Sequence, residues 1–119
     1  MSRPAIRLKR VYDQPEPGDR TRVLVDRLWP RGIRKPDAAV HLWTKELGPS
    51  AELRRWFGHD PAKWEAFRRR YRQELAAKED GLASLAEMAR AGTVTLLFAA
   101  RDATRNNAAV LEEIVEEMA

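Results

Sequence analysis

The segment Thr93-Val94-Thr95-Leu96-Leu97-Phe98-Ala99-Ala100 decides the fold class. It is apolar at nearly every position, which is typical of a strand that is buried on both faces. Such strands occur in parallel sheets that helices cover, so we predict a central strand over residues 93–100. The apolar part of this segment is also too short to cross a bilayer, and we expect no membrane association.

Three other segments predict the remaining strands of the sheet. Residues 5–11 alternate between apolar and charged side chains, which indicates a first strand. Residues 22–28 contain a continuous apolar run and predict a second buried strand, which stops at Trp29-Pro30. Residues 37–47 fit strand and helix periodicity about equally, and we assign a strand to residues 41–46 within them.

The rest of the chain predicts four helices. The first begins at the N-cap Ser50, and the second and longest begins at the N-cap Asp60, which a proline follows. Gly81 is expected to interrupt the helical pattern before a third helix, and a fourth helix begins at about Asn106. The sequence therefore predicts a small single-domain α/β layered fold over residues 1–119, with a mostly parallel sheet of about four strands and flanking helices.

Composition excludes several kinds of chemistry. The chain of 119 residues has no cysteine, which excludes disulfides, thiolate nucleophiles and cysteine-ligated metals. Its two histidines, His41 and His59, have no spacing typical of a metal site, and we predict no metal and no cofactor. No apolar run follows the basic N-terminal residues, so we expect no secretory signal and a cytoplasmic protein.

Charge is distributed unevenly along the chain. The net charge is +4, but residues 1–72 hold 18 basic and 9 acidic residues, a net charge of +9. The remaining residues hold 4 basic and 9 acidic residues, a net charge of −5. This asymmetry indicates an anionic partner, although a GC-rich coding bias would also produce the 17 arginines among the 22 basic residues.

The loop after the second strand is the first candidate site, because ligands of open α/β sheets bind beyond the carboxyl ends of strands. Its sequence runs from Asp26 to Gly32. Arg27 and Arg31 offer the planar donors that match phosphate or carboxylate, and Trp29 offers a stacking surface. Asp26 is a candidate base or an orienting group for Arg27. In the alternative interpretation Trp29 belongs to the core and the charged side chains form internal ion pairs.

The loop after the central strand is the second candidate. It contains Arg101 and Asp102 and leads through Asn106 and Asn107 into a helix N-terminus, where unpaired amides favour an anion. Arg101 is a candidate anion clamp, Asp102 a candidate catalytic residue, and the two asparagines are candidate ligand contacts. In the alternative interpretation Asn106 caps the helix and Arg101 pairs with Asp102.

Two further residues complete the candidate list. His59 follows a glycine at a turn and is a candidate general acid or base, because histidine titrates near neutral pH; a surface or capping role is the alternative. Ser50 is a candidate ligand contact, although no nucleophile motif surrounds it and helix capping is the favoured explanation.

The motifs at these sites resemble a known family. The block Asp26-Arg27-Leu28-Trp29-Pro30-Arg31-Gly32, the block Phe57-Gly58-His59-Asp60-Pro61 and the apolar segment Val94 to Ala100 are similar to those of the YeaO-like family, the domain of unknown function 488. The resemblance implies a small cytoplasmic bacterial α/β domain and no settled activity. The family pattern often has Asn-His where this chain has Asn106-Asn107. A catalytic base or metal ligand supplied by that histidine would therefore be missing here.

Three functions follow from these observations. The first is the binding, with or without catalysis, of an anionic small molecule such as a phosphate- or carboxylate-bearing compound or a nucleotide. It requires the loops after Leu28 and Ala100 to meet in one basic pocket. The second is nucleic-acid binding through residues 1–72, and the third is a protein-interaction domain that uses the acidic last helix. We expect a monomer or a small homo-oligomer.

Overall fold

The computed structural model describes residues 5–118. Its sheet has four parallel strands: β1 (Ile6–Arg10), β2 (Thr21–Leu24), β3 (Leu42–Trp43) and β4 (Val94–Phe98). The order across the sheet is β1-β4-β2-β3, so β4 lies between two neighbours and all five of its residues are buried. The predicted α/β class and the central position of the 93–100 segment are confirmed.

Five α-helices accompany the sheet. They are α1 (Lys35–Ala38), α2 (Ala51–Phe57), α3 (Trp64–Leu75), α4 (Glu79–Ala91) and α5 (Asn107–Glu117). Short 3-10 turns lie at Pro17–Asp19, Lys45–Leu47 and Pro61–Lys63. Within residues 5–118, none of these helices is long and apolar enough to span a membrane.

The two faces of the sheet are covered differently. Side chains alternate along β2, so Val23 contributes to the large core beneath the helices while Leu24 contributes to a smaller cluster on the opposite face. The large core includes Phe57 of α2, which stacks on Phe67 of α3 with ring centroids 4.3 Å apart. The smaller cluster is closed by residues 29–43, including Trp29. Burial on both faces explains why β2 and β4 lack polar alternation.

Strand register brings the two candidate loops to one edge. Leu24 of β2 pairs with Leu97 of β4, and the backbone N–H of Val25 donates to the carbonyl of Leu97 at 3.1 Å. Both strands run in the same direction, so residues 25–32 and 99–106 leave the sheet side by side.

Several boundary predictions are wrong. The second strand, predicted over residues 22–28, ends at Leu24. The strand expected over residues 41–46 has only two residues, and the 3-10 turn Lys45–Leu47 follows it. Gly81 does not interrupt a helix but lies inside α4, near its start. It packs against Leu47, and a Cβ at this position would be 3.0 Å from Leu47 Cδ2, which accounts for a glycine here. The chain breaks instead at residues 76–78, between α3 and α4.

The acidic end of α5 faces the basic side of α3. Glu113 lies 2.8 Å from Arg68 and 3.3 Å from Arg72, and Glu117 lies 2.5 Å from Arg72. These pairs offset the unfavourable interaction of glutamates with the helix C-terminus. They also join the basic part of the chain, residues 1–72, to the acidic remainder, so part of the charge asymmetry is neutralised within the molecule.

Candidate functional site

A cleft of about 850 Å³ lies at the carboxyl edge of the sheet. Both candidate loops line it, together with residues of α2 and the turn after it. Of the residues singled out from the sequence, all except Ser50 contribute to its lining: Asp26, Arg27, Trp29, Arg31, His59, Arg101, Asp102, Asn106 and Asn107. The volume is in the range that small-molecule sites occupy.

Asp26 connects the ends of β2 and β4 at the base of this cleft. Its Oδ2 accepts a hydrogen bond from the backbone N–H of Ala99 at 3.0 Å, and its Oδ1 accepts one from Asn107 Nδ2 at 3.1 Å. Asn107 Nδ2 also donates to the carbonyl of Val25 at 3.0 Å. Burial raises the pKa of Asp26, while these hydrogen bonds and the nearby charge of Arg54 act in the opposite direction.

Arg27 is held by the backbone and does not match the predicted free clamp. Its Nε donates to the carbonyl of Pro49 and its Nη2 to that of Gly48, both at 2.9 Å. The backbone of Arg27 also lies so close to Gly48 that a Cβ there would come within 2.6 Å of Arg27 N. Arg27 therefore fixes the segment that leads into α2, and this contact joins residues 22 positions apart.

Trp29 serves both the core and the cleft. Its Nε1 donates to the carbonyl of Ile33 at 2.8 Å, and its ring meets Trp43 edge to face at a centroid distance of 5.5 Å. Half-buried in this way, Trp29 forms a fixed wall of the cleft.

The loop after β4 is organised by Asp102. Its Oδ1 accepts hydrogen bonds from the backbone N–H groups of Arg105 at 3.0 Å and Thr104 at 2.9 Å, and from the Thr104 hydroxyl at 3.0 Å. These bonds lower the pKa of Asp102 to about 2. A carboxyl with so low a pKa is a poor proton carrier near neutral pH, which argues against the predicted catalytic role. Its cationic neighbour is Arg105, at 3.4 Å, instead of the expected Arg101.

The two asparagines have structural partners. Asn106 is the N-cap of α5: its Oδ1 accepts from the backbone N–H of Ala109 at 2.9 Å, and its Nδ2 donates to the carbonyl of Asp102 at 3.0 Å. Asn107 holds Asp26, as described above. Both side chains are buried, and they hold the loops that line the cleft in place.

Ser50 lies outside the cleft, contrary to the prediction. Its hydroxyl accepts from the backbone N–H of Leu53 at 3.1 Å as the N-cap of α2, and donates to Glu74 of α3 at 2.6 Å. The capping alternative accounts for this residue.

His59 is exposed at the cleft and has a left-handed backbone. Its φ is 58°, and that of the preceding Gly58 is 54°. Left-handed conformations are rare outside glycine and asparagine, so the turn is strained where it meets the cleft. Asp60 accepts from the backbone N–H of Ala62 as the cap of the 3-10 turn Pro61–Lys63. The helix that it was expected to begin, α3, starts at Trp64 and is one residue shorter than α4.

Sequence reasoning missed Arg54 and Arg55 of α2, which also line the cleft. Arg54 Nε is buried and has no hydrogen-bond partner within residues 5–118. The signal was present in the sequence, since two arginines lie between the inward-facing Leu53 and Phe57 of an amphipathic helix. That helix packs its apolar side into the core and carries Arg54 to the cleft.

The cleft combines unpaired cations with apolar walls. In the part of the chain that the structure describes, four lining arginines form no salt bridge and no side-chain hydrogen bond: Arg31, Arg54, Arg55 and Arg101. Two carboxylates face them, Asp26 and Asp102. Apolar lining comes from Leu28, Phe57 and other side chains. Among residues 5–118, no group of three or more histidine or acidic residues could hold a metal ion.

Known proteins match nearly the whole chain. The family described as the inactive DUF488-N3 subclade matches residues 5–119. The chain belongs to the YeaO-like DUF488 family. It is 46% identical to the uncharacterized protein YeaO of Escherichia coli K12 over 108 residues, which are 91% of this chain and 94% of that protein. It is 43% identical to the uncharacterized protein Rv3073c of Mycobacterium tuberculosis H37Rv over 110 residues, 92% of each chain.

The predicted resemblance to this family is confirmed. No solved structure matches the chain. The names of these relatives state no substrate or partner.

Proposed function

We propose that the protein binds an anionic small molecule, one that bears a phosphate or a carboxylate, in the cleft at the carboxyl edge of the sheet. A nucleotide is one member of this class. The observation that carries the proposal is Arg54, a residue of the cleft lining whose Nε–H is buried and finds no acceptor among residues 5–118. Buried polar groups in proteins normally have a partner, and a guanidinium pairs best with phosphate or carboxylate oxygens.

The surrounding charges support the same class of ligand. Arg31, Arg55 and Arg101 bring three more cations to the cleft without salt bridges inside residues 5–118. Arginines that converge on a concave, partly apolar site raise the local concentration of anions. Some basic side chains elsewhere pair with carboxylates of the chain, as Arg68 and Arg72 do with Glu113.

Binding without catalysis is the form of this proposal that the observations favour. The family that matches the chain is described as inactive. Of the candidate proton carriers, Asp102 is held ionised by its turn and Asp26 already accepts from two protein donors. We therefore assign recognition, and no reaction, to the cleft.

The pairing of α3 with α5 also weighs against the two alternatives. A nucleic-acid surface on the long helix would use Arg68 and Arg72, which Glu113 and Glu117 already occupy. The same pairs remove two glutamates from an acidic surface for a basic protein partner.

Two arginine variants test the proposal. Arg54→Gln removes a cleft guanidinium, and Arg69→Gln removes an exposed guanidinium of α3 that does not line the cleft. Both lower the net charge equally. Isothermal titration with pyrophosphate and with citrate, at constant ionic strength, measures the affinity of each variant.

We expect Arg69→Gln to bind as the wild type does. Arg54→Gln should bind about 10-fold or more weakly, because a hydrogen bond to a charged group contributes roughly 1.5–3 kcal/mol. Equal affinity of the two variants, or no binding of either anion to the wild type, would contradict the proposal. An affinity for oligonucleotides that falls by orders of magnitude between low and moderate salt would favour the nucleic-acid alternative instead.

A further inference from the structure

The base of the basic cleft holds a carboxylate whose hydrogen-bonding capacity is only partly used. Each oxygen of Asp26 accepts one hydrogen bond, from Ala99 N–H at 3.0 Å or from Asn107 Nδ2 at 3.1 Å. A carboxylate oxygen has two lone pairs, so each oxygen can accept one more donor. Because both protein contacts are donors, the ionised form of Asp26 fits this arrangement.

Asp102, the other carboxylate of the cleft, has more hydrogen-bond donors within its own turn. Its Oδ1 accepts three hydrogen bonds from Thr104 and Arg105, and its Oδ2 lies 3.4 Å from Arg105 Nη1. Its charge is therefore used within its own turn. Asp26 has fewer protein donors than Asp102, one on each oxygen, and it lies at the base of the cleft.

For a simple anion the charge of Asp26 is unfavourable, although its hydrogen bonds with Ala99 and Asn107 hold the ends of β2 and β4 together. A negative charge at its base repels phosphate or carboxylate and weakens the attraction of Arg54 for them. The same charge attracts an ammonium group and accepts from any N–H donor. The cleft thus presents two opposite kinds of recognition, unpaired guanidinium groups and a carboxylate with free lone pairs, beside apolar walls.

We infer that the ligand is bifunctional: it carries an anionic group for the arginines and, on the same small molecule, an ammonium or amide N–H donor for Asp26. The class includes amino acids, aminoalkyl phosphates and their amides. This inference rests on the proposed function, since it needs the arginines to bind the anionic end.

Two pairs of probe series test the inference. The first pair compares aminoalkyl phosphates of two to six carbons with alkyl phosphates of the same lengths. The second compares ω-amino acids with the corresponding unsubstituted carboxylic acids. Isothermal titration of the wild type measures what the amino group adds at each length. Asp26→Asn removes the carboxylate charge that is proposed to bind the amino group. Asp13→Asn, at an exposed position outside the cleft, is the matched control.

In at least one of the two pairs of series, and at one chain length, we expect the amino compound to bind the wild type about 10-fold or more tightly than the plain compound of the same length. Asp13→Asn should show the same difference in affinity. Asp26→Asn should lose this advantage while still binding the partner compound. If amino and plain compounds bind the wild type equally at every length, the inference is wrong and the proposed function stands. If neither kind binds, both fail. If Asp102→Asn, and not Asp26→Asn, removes the advantage, the assignment to Asp26 is wrong. The wild-type comparison needs no variant to fold.

Discussion

Asp19→Asn should cause a large loss of stability. The Asp19 side chain is fully buried at the end of the turn before β2. Its Oδ2 lies 2.5 Å from Arg22 Nη1 and 3.1 Å from Lys9 Nζ, and it accepts the backbone N–H of Glu16 at 3.1 Å. Arg22 is itself almost completely buried, and its Nη2 donates to the carbonyl of Ala38 at 2.8 Å. One carboxylate thus joins β1, β2 and the segment that precedes β3.

The size of the effect follows from the charges that would remain. Asparagine has the shape of aspartate but no charge, so the substitution leaves the buried guanidinium of Arg22 without its counter-ion. Removing one partner of a buried pair costs about 3–5 kcal/mol. For a chain of this length, that loss lowers the melting temperature by roughly 12–20 °C, at about 4 °C per kcal/mol.

The loss should also depend on pH. Burial by itself would raise the pKa of Asp19, but the hydrogen bonds from Glu16, Lys9 and Arg22 outweigh it, and the pKa is lowered. A carboxyl with a lowered pKa in the folded state stabilises the fold above its unfolded pKa, about 3.9, and loses that contribution as the pH falls through the folded value. The difference between wild type and Asp19→Asn should therefore be complete at pH 6 and shrink below about pH 4.

Urea unfolding of both proteins at a series of pH values measures this difference. Asp13→Asn, at an exposed position, controls for the loss of one negative charge. If Asp19→Asn were no less stable than Asp13→Asn at pH 6, or if its deficit did not change down to pH 2, the reasoning would be refuted.

Three other predictions concern the core and the cleft. Tyr71→Phe should lower the free energy of unfolding by about 1–3 kcal/mol, because the buried Tyr71 hydroxyl donates to the carbonyl of Leu47, which would lose this partner; an unchanged urea midpoint would contradict this. Asn107→Ala should raise the pKa of Asp26 further above its ordinary value, because it removes a hydrogen bond to the ionised form; a carboxyl ¹³C NMR titration that matches the wild type would show otherwise. In the wild type, the same titration should give Asp102 a midpoint of about 2, and one near 3.8 would mean that its turn does not form in solution.

Local signals predicted most of the fold. The uninterrupted apolar run of β4 can only be satisfied by burial on both faces, and this also gave its central position. Ser50, Asp60 and Asn106 each cap the expected turn or helix, because a cap depends on residues only two or three positions away. The place of the cleft followed from the general rule that loops after parallel strands share one edge.

The partners of individual charges could not be predicted in this way. Arg27 and Arg54 look alike in the sequence, yet Arg27 donates to carbonyls about 20 residues away, while Arg54 keeps a buried N–H that has no acceptor in the described part of the chain. Which arginine remains available is decided by the path of the backbone around it. The prediction that Gly81 interrupts a helix is also wrong, because its close contact with Leu47, which is distant in the sequence, does not show in the local pattern.

The Nε–H resonance of Arg54 tests the central claim most directly. In a ¹⁵N-labelled protein, Arg54→Lys identifies this signal by its absence, and pyrophosphate is then added in steps at constant ionic strength. We predict that the Arg54 signal shifts saturably, as its buried N–H gains an acceptor, while that of the exposed Arg69 moves little. An Arg54 signal that stays in place at saturating pyrophosphate would contradict the claim that this cleft is an anion site.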